Sequence, residues 1–163
     1  MTTNPRRLIL RNEGSSSAGG RYVLYWMQQA QRVPYNHALL RAIERANEAR
    51  LPVRVFFVLY AGFPEANQRH FAFMLEGLQE VGRECVRRGI GFELRRGEPV
   101  AELTALLADA SAVVCDTGYL FHQRAWRDRL TQVVLSRFPQ VSLEEVDTDA
   151  VVPVRVASDH AEY

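Results

Sequence analysis

The sequence predicts an α/β fold: a doubly wound, five-stranded parallel sheet, Rossmann-like, of order 3-2-1-4-5, with helices on both faces. Two observations carry this. Short apolar runs rich in β-branched and aromatic residues recur along the chain, as in strands covered on both sides. Between them lie longer segments with apolar residues at i, i+3 or i+4 spacing. Strict strand–helix alternation with short links gives parallel crossovers.

Residues 1–20 are expected as a flexible N-terminal lead-in, because 14–20 read GSSSAGG and offer nothing to bury. No helix follows that run, so it is not read as a phosphate cradle. The first strand is YVLYWM at 22–27. A polar loop over 28–33 leads to Pro34, which suits the start of a helix over 35–49. That helix places Ala38, Leu39, Ala42, Ile43 and Ala46 on one stripe. The second strand is 53–59, and Gly62, Pro64 and Asn67 punctuate the loop behind it. A long helix then runs to about 88, with Phe71, Met74, Leu75, Leu78 and Val81 as its stripe and Gly89 as its stop. Gly77 costs that helix about 1 kcal/mol relative to Ala and is read as permitting close approach to the sheet. Strands at 92–96, 112–116 and 141–146 alternate with helices at 99–110 and 122–138. Residues 151–154 read as irregular.

The bulk properties exclude several classes of function. Twenty basic against nineteen acidic residues leave a net charge of +1, which argues against DNA being gripped mainly by this chain. No apolar stretch approaches the roughly 20 residues that span a bilayer, so no membrane contact is expected. The start of the chain lacks a signal-peptide core. Cys85 and Cys115 show no metal or redox spacing and fall at apolar positions, so buried reduced thiols in a cytoplasm are expected. The four histidines are far apart, which argues against a metal site. Ser15, Ser16 and Ser17 lie in a glycine-rich loop, not on a nucleophile elbow. Neither a G-x-G-x-x-G nor a G-x-x-x-x-G-K-[ST] motif follows the first strand. Glu144 and Glu145, with Asp147 and Asp149, are read as a solvated acidic edge. No catalytic constellation emerges.

In open α/β sheets ligands sit beyond the carboxyl ends of the strands, where the strand order reverses. The segments leaving the first and fourth strands are 27–32 and 116–119. Met27, Gln28, Gln29, Arg32, Asn36, Asp116, Gly118 and Tyr119 are therefore the candidate cofactor-binding residues. For Asp116, a cap on the following turn and a ligand contact both remain open. Tyr119 and Trp126 read either as core aromatics with a polar end or as a cofactor platform. Arg32 and Arg124 read either as solvated or as ligand-binding.

The string YVLYWMQQAQRVPYNHAL at 22–39 resembles the opening strand, loop and helix of the photolyase and cryptochrome superfamily, and its YWMQ start and QRV resemble class II DNA photolyases. Further similarity lies in RHFAFMLEGL at 69–78, the strand at 92–97, DTGYL at 116–120 with Arg124 and Trp126, and VVP at 151–153. It covers about 21–163. The chain departs from the family pattern at 28–30, at Tyr35 and at Phe121, where charged residues are common.

The resemblance implies that 21–150 is an N-terminal antenna domain. Such a domain can hold a light-harvesting chromophore: 8-hydroxy-5-deazaflavin, a folate or FMN. It implies that 151–163 opens a linker to a larger helical domain that binds FAD and splits cyclobutane pyrimidine dimers. Damaged DNA would then be met only through the parent protein, and this chain alone is not expected to repair DNA. Residues 158–163 resemble the entry to that helical domain, with His160 where the family usually shows Lys. The alternative is a stand-alone nucleotide-binding or signalling module of the same fold.

Overall fold

The computed structural model describes residues 2–14 and 19–157. Its strands and helices alternate in the order β1 (Leu8–Asn12), β2 (Tyr22–Trp26), α1 (His37–Ala49), β3 (Val53–Leu59), α2 (Gln68–Arg87), β4 (Gly91–Arg96), α3 (Pro99–Leu107), β5 (Ala110–Asp116), α4 (Phe121–Arg137), β6 (Ser142–Val146) and the single turn α5 (Val154–Ala157). The sheet runs β1-β6-β5-β2-β3-β4. From β2 to β6 this is the doubly wound parallel order the sequence predicts.

The sheet has six strands, not five. Leu8–Asn12, expected within the flexible lead-in, pairs antiparallel with β6, Leu8 opposite Val146. A 3-10 turn at Pro5–Arg7 precedes it, capped by the Asn4 side chain. Buried Arg7 donates to the carbonyls of Asp147, Ala150 and Val151 at 3.0, 2.9 and 2.6 Å, tying this segment to the loop after β6. The serines at 15–17 and the stretch 158–163 lie outside the described residues.

β2 is buried at every position, and its side chains alternate between two cores. Val23, Tyr25 and Met27 face α1 and α2, while Tyr22, Leu24 and Trp26 face α3 and α4. On α1 the stripe falls as expected: Ala38, Leu39, Ala42 and Ala46 are buried, and the small size of the three alanines lets the helix lie close to the sheet. The helix begins two residues later than expected. Pro34 is outside it, Tyr35 takes a left-handed φ of 53°, and Asn36 is the N-cap, its Oδ1 accepting from the Leu39 N–H at 2.8 Å.

On α2 only Leu78, Val81 and Cys85 are buried, and Leu75 is exposed. Gly77 faces open space, so it does not bring the helix against the sheet. Gly82 does: a Cβ there would stand 3.1 Å from the Phe92 ring. Gly89 stops the helix with a φ of +71°.

The acidic edge is also corrected. Glu144 and Glu145 are 6% and 1% exposed. Glu144 pairs with Arg41 at 2.6 Å and Arg45 at 3.2 Å on one face of β6; Glu145 pairs with Arg11 at 2.7 Å and Arg127 at 3.1 Å on the other. Adjacent strand residues point to opposite faces, so each carboxylate meets its own pair of guanidiniums. Asp147 is buried too, and Asp149 alone of the four is exposed.

Candidate functional site

Asp116 ends β5 fully buried. Its Oδ2 accepts the backbone N–H groups of Gln28, Gln29 and Ala30 at 2.9, 2.8 and 3.0 Å, and its Oδ1 accepts the Tyr25 hydroxyl at 2.8 Å. Burial pushes its pKa up, and those four bonds oppose the shift. Asn36 completes the cluster. Its Nδ2 lies within 3.0 Å of the Tyr25 hydroxyl and the carbonyls of Ala30 and Arg32. Asp116 thus caps a turn, but the turn after β2 instead of the one after its own strand. Burial and the Asp116 charge hold the Tyr25 phenol well above its ordinary pKa.

The other predicted residues divide. Arg32 donates to the carbonyls of Thr148 at 3.0 Å and Tyr35 at 3.4 Å. The Tyr119 hydroxyl donates to Asp147 Oδ2 at 2.7 Å. Gly118 is pressed against Gln123, whose Oε1 would lie 2.3 Å from a Cβ at that position. The Gln123 Nε2 in turn donates to Gln29 Oε1 at 2.8 Å, joining the loop after β2 to the first turn of α4.

A cavity of about 500 Å³ opens at the carboxyl ends of β2 and β3, within the range of about 300–1,000 Å³ common for small-molecule sites. Met27, Gln28 and Gln29 line it, and Arg32, Asn36, Asp116, Gly118 and Tyr119 do not. Its walls are mostly carbon. An aromatic bank forms one side: the Trp126 ring lies 5.3 Å edge-on from Tyr60 and 6.4 Å from Phe63, and Phe63 meets His122 at 4.2 Å. Burial lowers the His122 pKa. Gln28 brings the contrasting chemistry: both its Oε1 and its Nε2 are buried without a hydrogen-bond partner.

Sequence reasoning missed Phe57, Tyr60, Phe63 and Met74 among the lining residues. The available signal was the loop after β3, whose Gly62 and Pro64 bracket an aromatic beside the same end of the sheet.

A family model described as DNA photolyase matches residues 23–163. This chain belongs to the DNA photolyase family. It is 41% identical over 144 residues to a deoxyribodipyrimidine photo-lyase of Methanothermobacter thermautotrophicus, covering 88% of this chain and 31% of that protein. A deoxyribodipyrimidine photo-lyase of Potorous tridactylus is 39% identical over 142 residues, covering 86% of this chain and 26% of that one. The chain therefore spans less than a third of the length of these photolyases. A class III photolyase structure from Agrobacterium tumefaciens shares the fold, with a TM-score of 0.67 at 20% identity over 83% of this chain and 27% of that one. Among the described residues no helix is long and apolar enough to cross a membrane, and no cluster of side chains could hold a metal ion. Both cysteines are free and buried.

Proposed function

We propose that this chain is the N-terminal light-harvesting domain of a class II deoxyribodipyrimidine photolyase, its cavity holding a planar antenna chromophore such as 8-hydroxy-5-deazaflavin, a folate or FMN. The observation that carries the reading is a cavity walled by carbon and aromatic rings, beside which the Gln28 amide is enclosed without a partner. A heterocycle there would have its faces desolvated against Trp126 and Phe63, and a carbonyl beside an N–H on its edge would pair with the Gln28 amide once that side chain turns into the cavity. The bound chromophore supplies light absorption and passes excitation onward.

The chain's residues bind and orient it. Asp116 fixes the backbone of 28–30, so Gln28 is presented from a rigid turn. The Gln29–Gln123 bond braces the cavity between β2 and α4. The class II assignment rests on the similarity of 22–39, above all the YWMQ and QRV motifs. In this reading FAD and damaged DNA are handled by a helical domain of the parent protein, and the two buried thiols suit a reducing cytoplasm.

Titrating the chain with deazaflavin, folate and flavin while following absorbance and fluorescence tests the proposal. Saturable binding of one is expected. A chain that ignores all of them has no antenna role, and light-dependent dimer splitting by the chain alone would overturn the division of labour.

A further inference from the structure

We propose that the chain pairs with a second copy of itself through β4, the two strands antiparallel about a two-fold axis with Leu94 opposite Leu94. This stands apart from the antenna reading. Among the described residues β4 pairs with β3 alone and ends the sheet. The opposite edge strand, β1, shifts register between Leu10 and Asn12, an irregularity of the kind that blunts edge pairing. β4 carries no such device. Its six residues keep continuous register with β3 and include neither proline nor lysine. The Gly97 N–H donates to the Leu59 carbonyl of β3 at 3.2 Å. Alternation along the strand then turns the N–H and C=O groups of Phe92, Leu94 and Arg96 outward.

The charges on β4 select one register. Outward groups must meet outward groups, so Phe92, Leu94 or Arg96 stands opposite Leu94. The first choice sets Glu93 against Glu93, and the last sets Arg95 against Arg95. The middle one sets Glu93 against Arg95 on both sides of the axis. The flank of α2 complements the strand. Gly82 stands against the Phe92 ring, so its side of the helix faces the edge. Leu75, Gln79 and Val86 share that side at steps of four and three residues, all exposed and uncharged. They form a second line beside the buried stripe of Leu78, Val81 and Cys85, which packs in one core with β3 and Phe92. With strands about 4.8 Å apart, the α2 helices of the two copies stand roughly 10 Å apart, a packing distance.

Light scattering and sedimentation equilibrium of the full chain should show a monomer–dimer equilibrium with a Kd in the micromolar range. Leu94→Cys should close a disulfide between copies under mild oxidation, because opposed residues that exchange both hydrogen bonds have Cα atoms about 5.5 Å apart. Arg96→Cys should not, since it faces Phe92 and its own counterpart lies beyond the limit of roughly 7 Å. The native cysteines are buried and give no background. Arg95→Glu and Glu93→Arg should each weaken the dimer about tenfold. An equimolar mixture of those two variants should restore it as a heterodimer, because every facing pair is then opposite in charge, and a variant that fails to fold could not do so. Cross-linking at both cysteine positions alike, or association that neither charge variant moves, overturns the inference and puts the contact on another face. A chain that stays monomeric to about 1 mM overturns it too, and leaves the flank of β4 and α2 to the remainder of the parent protein.

Discussion

Replacing Asp116 separates the two things its carboxylate does: accepting four hydrogen bonds and carrying a buried charge. Asp116→Ala leaves the Ala30 N–H and the Tyr25 hydroxyl as buried donors without an acceptor, while the part-buried N–H groups of Gln28 and Gln29 can regain water. Each orphaned buried donor costs about 1–3 kcal/mol. Two give about 2–6 kcal/mol, reduced by relief of the carboxylate's desolvation, so a net loss of about 3 kcal/mol is expected. Asp116→Asn keeps one acceptor oxygen for the N–H cluster but turns its NH2 toward the Tyr25 hydroxyl, leaving that one donor unmatched, and should cost about 1–2 kcal/mol.

The pH dependence follows from the raised pKa. A carboxyl with a folded-state pKa above its unfolded one binds protons more readily in the fold. Its contribution is full below the unfolded pKa, ordinarily near 3.8, and is lost as pH rises through the folded value. Asp116→Asn removes that slope, so its deficit relative to wild type should shrink as pH rises through that window. Urea unfolding at pH 4 and pH 7.5, with midpoints compared at constant m, measures both effects. A loss below about 1 kcal/mol for the alanine variant, or equal losses for both variants, would refute this account of the loop.

Three further outcomes are expected. Glu145→Gln strands the buried guanidinium of Arg127 and weakens Arg11, so urea unfolding should show a loss of about 3–5 kcal/mol. Gln28→Leu should weaken chromophore binding about tenfold or more by fluorescence titration while leaving the urea midpoint within about 0.5 kcal/mol, since the amide has no partner within the chain. The native protein should resist thiol-directed reagents at pH 8 until it is unfolded, because burial pushes Cys85 up to about 11 and Cys115 further still.

Whatever depends on local pattern was legible in the sequence. Five strands and the α1 stripe follow from apolar runs and helical spacing, because each element's buried face is written within its own residues, while their order followed the common doubly wound pattern. Contacts between distant segments were not legible. Leu8–Asn12 is a strand because β6 offers it an edge more than 130 residues away, Leu8 pairing with Val146. Glu144 and Glu145 look like a solvated pair beside two aspartates, and only the fold brings Arg41, Arg45, Arg11 and Arg127 onto them. The start of α1 was readable and misread: Pro34 suits a first turn, but Asn36 holds the stronger capping chemistry. At the cavity, the loop after β2 was identified from its position, whereas the aromatic bank behind β3 draws on two segments far apart in the chain, the loop after β3 and the start of α4.

The position of the cavity has a physical cause in Asp116. The strand order reverses between β2 and β5, where an open α/β sheet ordinarily leaves its crevice. Here that space is closed: the carboxylate gathers three consecutive N–H groups of the loop after β2 and draws it onto the end of β5. The remaining opening lies toward β3, beneath the 60–67 loop and beside Trp126. The cavity does not touch Asp116, yet its Gln28 and Gln29 wall is held by that carboxylate. The backbone N–H of Gln28 is committed to the carboxylate while its side chain forms part of the cavity wall, so one short turn fastens the sheet through its main chain and shapes the cavity through its side chain.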